Sequence, residues 1–287
     1  MARALIGANS LVKPAIGILL QEKRFMTGKT PNCHWLGILL LAALAFSCGP
    51  GPKTPTLTVA VAANAAPAVE ELARAFRQQS GLKVDLIAGS SGKLSAQIRQ
   101  GAPFDLLLSA DTGYPEALIE AGKAVPPLAV YAHGQLILWF RDTAGLEQAA
   151  FSRLQQPEVR RIALAQPGLA PYGRAAREAL THYGLWPALQ PKLVFGESIS
   201  QVNQFLRTGA VEAGFTALSA MHAPTLAKRG HYLHVEVSAY RAIEQGMVIT
   251  RYGAQHHAEA ARNFFDFLRS ETAHQTLKRF GYRIPTN

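Results

Sequence analysis

From Leu57 onward the apolar pattern of this 287-residue chain switches repeatedly between two periods, and that alternation restricts its fold more than any other feature. Residues 57–62 (LTVAVA) read as a buried strand, and Asn64 and Pro67 then suit the start of a helix carrying Val69, Leu72, Ala73 and Phe76 at helical spacing up to Gly81. Residues 83–88 (KVDLIA) form a second strand, Ser90 and Ser91 lie in a turn that opens a helix with Leu94 and Ile98, and 104–109 (FDLLLS) form a third strand. Asp111 is placed to cap the helix after it. The same grammar gives strands at 135–140, 161–165, 192–195, 212–216, 231–237 and 246–250. Helices are expected at 172–183, 200–207, 258–269 and 273–280. Strands that alternate with helices predict α/β architecture with largely parallel sheets.

The segment before Leu57 reads differently. Residues 35–46 (WLGILLLAALAF) are 12 apolar residues in a row, too few for a membrane-spanning helix of roughly 20. Lys29 precedes the run and Ser47 and Cys48 end it, which is the layout of an export signal. Residues 49–56 are a Pro/Gly linker, and Met26 would begin a signal of ordinary length within 1–48. Residues 44–48 (LAFSC) resemble a bacterial lipoprotein box, with Ala45 where Leu is usual. Lipidation of Cys48 would tether the mature chain outside the cytoplasmic membrane; an ordinary signal with a coincidental cysteine is the alternative. Cys33 and Cys48 are the two cysteines, so the part after the linker has neither disulfide nor thiol chemistry.

Charge bears on the partner. The formal net charge is +10, but residues 1–48 hold five cations against Glu22, so +4 of it lies in the signal. The remaining Lys and Arg are scattered, which argues against a nucleic-acid-binding arm. Catalytic patterns are missing as well: the sequence has no P-loop and no GxSxG elbow. His256 and His257 are adjacent, hence on different sides of a helix, and Asp105 and Asp111 are explained by turns and caps. What remains is a set of polar turns at strand ends that open helices: Ala63-Asn64, Ser90-Ser91, Pro171-Tyr172 and Ser198-Ile199. Ligands of parallel α/β sheets lie beyond the carboxyl ends of strands, and helix N-termini there offer unpaired N–H groups and partial positive charge. Such a site suits an anion without any Lys or Arg, and Asn64 and Ser91 are expected to add side-chain donors.

Four segments, VAANAAPAVEELARAF, GSSGKLSAQIRQGAPFDLLLSAD, APYGRAAREAL and RFGYRIP, resemble the periplasmic molybdate-binding proteins of ABC importers, over about residues 57–285. The resemblance implies a two-lobe periplasmic-binding-protein (type II) fold: two mixed, mostly parallel sheets flanked by helices, with a ligand cleft between them. Lobe one is expected at 57–133 with 246–287, and lobe two at 134–245. Carried over residue by residue, the oxyanion-binding positions are Asn64, Ser91, Tyr172 and Ile199, the last two through their main-chain N–H, with Ala63 as a further contact. One branch of the family has Ser in place of Asn64 and a ligand-reaching Tyr near position 217, where this chain has Ala217. The implied function is extracytoplasmic binding of molybdate or tungstate and delivery to an ABC permease and its ATPase. The protein is then a non-catalytic monomer without cofactor or metal-cation site, touching membrane through a lipid anchor at most. The alternatives are another oxyanion or small solute, or a sensory ligand-binding role.

Overall fold

The computed structural model describes residues 56–141, 150–222, 226 and 230–285. The signal run, both cysteines and most of the linker lie outside them. Two five-stranded sheets organise the described chain. The first has the order β2-β1-β3-β10-β4, built from β1 (Thr56–Ala62), β2 (Lys83–Gly89), β3 (Leu106–Leu108), β4 (Ala124–Gly134) and β10 (Ile243–Thr250). The second has the order β7-β6-β8-β5-β9, built from β5 (Leu136–Phe140), β6 (Ile162–Ala165), β7 (Leu193–Gly196), β8 (Ala213–Ala217) and β9 (His231–His234). The chain passes from one sheet to the other after Gly134 and returns between His234 and Ile243. These two crossings make the hinge between a first and a second lobe.

The sheets are mixed, with parallel and antiparallel pairings in equal number rather than mostly parallel. In each sheet the strands joined by crossover helices are parallel (β1 with β2 and β3; β6 with β7 and β8). Strands adjoining a hinge crossing run against their neighbours (β10 with β3 and β4; β5 with β8 and β9). β4 was not expected. Its sequence AVPPLAVYAHG contains two prolines, which remove ladder donors, and it lies at the sheet edge where that loss is tolerated. β9 ends at His234 rather than 237, and β10 begins three residues earlier than its apolar pattern indicates, at Ile243.

Each lobe buries its own core. Helix α1 (Ala66–Ser80) begins with proline in its first turn, lays Val69, Leu72 and Phe76 on the first sheet, and ends at Gly81 with φ +75°. Phe76 meets Phe264 edge-on at 5.0 Å, drawing in α7 (Ala258–Phe267), and α8 (Glu271–Arg279) adds Leu277 to the same cluster. Burying each such side chain contributes about 1.5–3 kcal/mol. In the second lobe, α4 (Pro171–His182) and α5 (Ile199–Thr208) bury Ala176, Ala179, Val202 and Leu206 in a core that also holds Trp139 and Phe140. Asp105 is nearly inaccessible and structural: it accepts the Thr58 N–H at 2.7 Å and pairs with His257 Nδ1 at 2.8 Å, fixing β3 against β1 and the start of α7. The C-terminal segment straps the hinge, with Arg283 and His133 exchanging main-chain hydrogen bonds at 2.7 and 3.0 Å.

Candidate anion-binding site

The strand ends and helix starts converge as their positions in the two sheets require. β1 ends at Ala62, and β2 ends at Gly89 and feeds α2 (Ser91–Arg99) through Ser90. From the second lobe come the starts of α4, at Pro171-Tyr172, and of α5, at Ile199. Ala63, Asn64, Ser91, Tyr172 and Ile199 all line one tight cavity between the lobes, with a free volume of about 10 Å3. That is small beside the groove of about 460 Å3 between the α5 face and Phe280. None of the described residues lining the small cavity carries a formal charge. Gly173 lets the α4 start approach this closely, because a Cβ there would lie 2.1 Å from the Ala165 carbonyl oxygen.

Counting donors shows what the cavity can hold. The main-chain N–H groups of Asn64, Ser91, Tyr172 and Ile199 have no acceptor among the described residues. Three of them stand at or next to the first residue of α2, α4 and α5, where the helix dipoles add positive potential. The Ser91 hydroxyl accepts the Ala110 N–H at 2.9 Å, so its own hydrogen is free to donate. Ala63 contributes wall alone: its N–H is bonded to the Gly89 carbonyl at 2.9 Å and its side chain has no donor.

Asn64 departs from its expected role as both helix cap and side-chain donor. The cap position of α1 is Ala65, without a side-chain hydrogen bond. Both hydrogens of the Asn64 amide are engaged elsewhere, with Gln245 Oε1 at 2.8 Å and the Tyr282 hydroxyl at 3.0 Å. The Asn64 main-chain carbonyl accepts from the Ser219 and Tyr282 hydroxyls, each at 2.8 Å. Asn64 is therefore clamped by β10, the C-terminal strap and the second lobe, and its main-chain N–H is the donor left over. The partners lie 181 and 218 residues away, beyond any local sequence signal. The Tyr172 ring reaches the same cluster, its hydroxyl buried beside the Asn64 amide without a well-formed bond. Burial first, and then the neighbouring phenols of Tyr282, Tyr240 and Tyr131, push the Tyr172 pKa well above its ordinary value. Burial likewise pushes Tyr282 up to about 12.

The sequence places Ser90 in the polar turn before α2 without a ligand role of its own; it also lines the cavity, and its buried hydroxyl has no partner among the described residues. The contacts that close the cleft have no signal in the sequence. The Gly92 N–H donates to the Leu169 carbonyl at 2.9 Å, and the Tyr114 hydroxyl to the Gly168 carbonyl at 3.2 Å. Lys93 meets Glu197 at 2.6 Å, and Arg174 pairs with Asp111 while its guanidinium lies 5.5 Å over the Tyr114 ring. Each of these contacts joins one lobe to the other, so the cleft is shut around the cavity.

Two α/β lobes on a double-crossing hinge, closed over an uncharged cavity rimmed with N–H and O–H donors, define a bilobal solute-binding protein. The model of the family described as bacterial extracellular solute-binding protein matches residues 57–283. The molybdate-binding protein ModA of Rhodobacter capsulatus is 36% identical over 224 residues, 78% of this chain and 86% of that protein. ModA of Azotobacter vinelandii is 34% identical over 87% of this chain and 95% of its own length. The solved structure of the periplasmic molybdate-binding protein from Azotobacter vinelandii superposes with a TM-score of 0.75 at 33% identity, covering 80% of this chain and all of that one. The chain belongs to the bacterial extracellular solute-binding family, in its molybdate-binding branch, and is thus an exported transport protein.

Proposed function

We propose that this protein captures molybdate or tungstate outside the cytoplasmic membrane and hands it to an ABC permease driven by an ATPase. The observation that carries the reading is the donor set: four free main-chain N–H groups and the Ser91 hydroxyl around an uncharged cavity. Molybdate and tungstate are full dianions at neutral pH and present acceptors alone. A ring of donors matches them. It disfavours phosphate, which keeps a proton near neutral pH and would leave that hydrogen unpaired. Sulfate is also an unprotonated dianion, so its exclusion falls to the size of the cavity. Hydrogen bonds to charged groups contribute about 1.5–3 kcal/mol each, so five of them can offset desolvation and reach submicromolar affinity, about −8 kcal/mol or better.

The protein performs no chemistry on its ligand and carries no cofactor in this reading. It works as a monomer, tethered through Cys48 when that residue is lipidated. Tyr172 and Ile199 belong to the second lobe while Asn64 and Ser91 belong to the first, so a bound anion holds the lobes together and the closed form is the one delivered. Calorimetry of the purified mature chain against molybdate, tungstate, sulfate and phosphate tests this. Submicromolar binding of the first two with far weaker phosphate binding is expected, and heat-silent titrations with all four would sink the proposal.

A further inference from the structure

The geometry points to Ser90 as a second serine donor to the bound oxyanion, an inference that rests on the oxyanion reading above. Ser90 occupies the cap position of α2, with extended backbone (φ −70°, ψ 145°). A serine there ordinarily turns its hydroxyl back to accept an N–H of the first helical turn. This one caps nothing. One of its two usual partners, the N–H of Gly92, is instead donated across the cleft to the Leu169 carbonyl at 2.9 Å. In this closed form that N–H is taken by the second lobe, and the Ser90 hydroxyl caps no helical N–H.

The hydroxyl does not face water. Ser90 is 4% exposed, and its hydroxyl has no partner among the described residues. Buried hydroxyls are nearly always hydrogen-bonded, and one left alone marks a place where something else belongs. Ser90 lines the same cavity as Ser91, Asn64, Tyr172 and Ile199, whose free N–H groups face the same space. An anion oxygen there would accept the Ser90 hydrogen and satisfy it. The two adjacent serines are not duplicates. Ser91 holds Ala110 on one side while donating on the other, whereas Ser90 has no partner among the described residues and is satisfied by ligand.

Two variants test the assignment, Ser90→Ala and Ser90→Cys, with molybdate as the probe in calorimetry and stopped-flow. Ser90→Ala should raise Kd on the order of 10-fold, the effect of deleting one hydrogen bond to a charged group. The loss should sit mainly in koff, because the donor is available in the closed form. Ser90→Cys, nearly isosteric and a weaker donor, should fall between alanine and wild type. A molybdate Kd within twofold of wild type for Ser90→Ala overturns the assignment and leaves the oxyanion reading intact, whatever happens to the ligand-free melting temperature. Wild-type protein that binds neither molybdate nor tungstate overturns the functional reading itself, and this inference with it.

Discussion

The main-chain N–H of Gly92 in the first lobe donates to the carbonyl of Leu169 in the second, at 2.9 Å. The contact is possible because position 92 has no side chain. A Cβ there would lie 2.7 Å from the Tyr114 hydroxyl, 2.9 Å from the Leu169 carbonyl oxygen and 3.1 Å from its Cα. The tyrosine could swing aside, but the Leu169 main chain could not move without parting the lobes.

Gly92→Ala is therefore expected to wedge the cleft. Molybdate affinity should fall about tenfold or more, and the protein under saturating ligand should scatter with a larger radius of gyration than wild type. The ligand-free melting temperature should hold or rise, since alanine is favoured over glycine in the first turn of a helix by up to about 1 kcal/mol. A wild-type affinity for this variant would show that the closed contact at Leu169 does not accompany binding.

Ser91→Ala and Asn64→Ala should separate in kind. The first deletes a free donor and also the acceptor of the buried Ala110 N–H, so affinity and stability should each drop by about 1–3 kcal/mol. The second leaves the Asn64 main-chain N–H in place and breaks the bonds to Gln245 and Tyr282, so it should lower the melting temperature with a smaller effect on Kd. Calorimetry paired with thermal melts distinguishes them. If Asn64→Ala loses affinity as heavily as Ser91→Ala without losing stability, the amide itself touches the anion.

Proton linkage puts the pH sensitivity of this protein at the alkaline end. Tyr282 is raised by burial from an ordinary value near 10 to about 12, and Tyr131 and Tyr172 are raised in the same direction for the same first reason. Between those values the unfolded chain has lost the Tyr282 proton while the folded chain keeps it. Stability is thus fully present below about pH 10 and falls as pH climbs toward 12, by about 2–3 kcal/mol from Tyr282 alone. Melts from pH 8 to 12 should show this decline, and Tyr282→Phe should flatten part of it. No residue lining the cavity is expected to titrate between roughly pH 6 and 9, so molybdate affinity should be level across that window.

Cys48→Ala tests where the exported chain resides. If Cys48 carries lipid, wild-type protein should sediment with membranes and the variant should appear in the soluble extracytoplasmic fraction. A wild-type chain recovered wholly soluble after export would remove the anchor and leave the binding site untouched.

Much of this architecture was legible because each signal was local. The LTVAVA strand, the helix built on Val69, Leu72 and Phe76, and the turns opening at Ser91, Tyr172 and Ile199 depend on neighbours a few residues away, and all lie where the periodicities put them. β4 was hidden because its prolines contradict the ordinary rule for strands, and edge position, which excuses them, is a property of the assembled sheet. The partners of the Asn64 amide, Gln245 and Tyr282, were hidden because they reach it after the chain has crossed the hinge and returned. Ser90 reads in the sequence as one residue of a turn, and its unpartnered hydroxyl depends on burial between the lobes, where Leu169 takes the Gly92 N–H.

The distribution of donors between the lobes also bears on how such a protein lets go. Tyr172 and Ile199 sit on one side of the cleft, and Asn64, Ser90 and Ser91 on the other. Neither half is a complete coordination shell, and none of the described residues lining the cavity is a cation that would hold the cargo by direct attraction. Prising the lobes apart removes the second-lobe pair of hydrogen bonds at once, about 3–6 kcal/mol, which is roughly a 10²- to 10⁴-fold fall in affinity. A receptor that spreads the two halves can therefore empty the site by mechanical separation alone, with water taking over each vacated bond and no chemical change in the ion it receives.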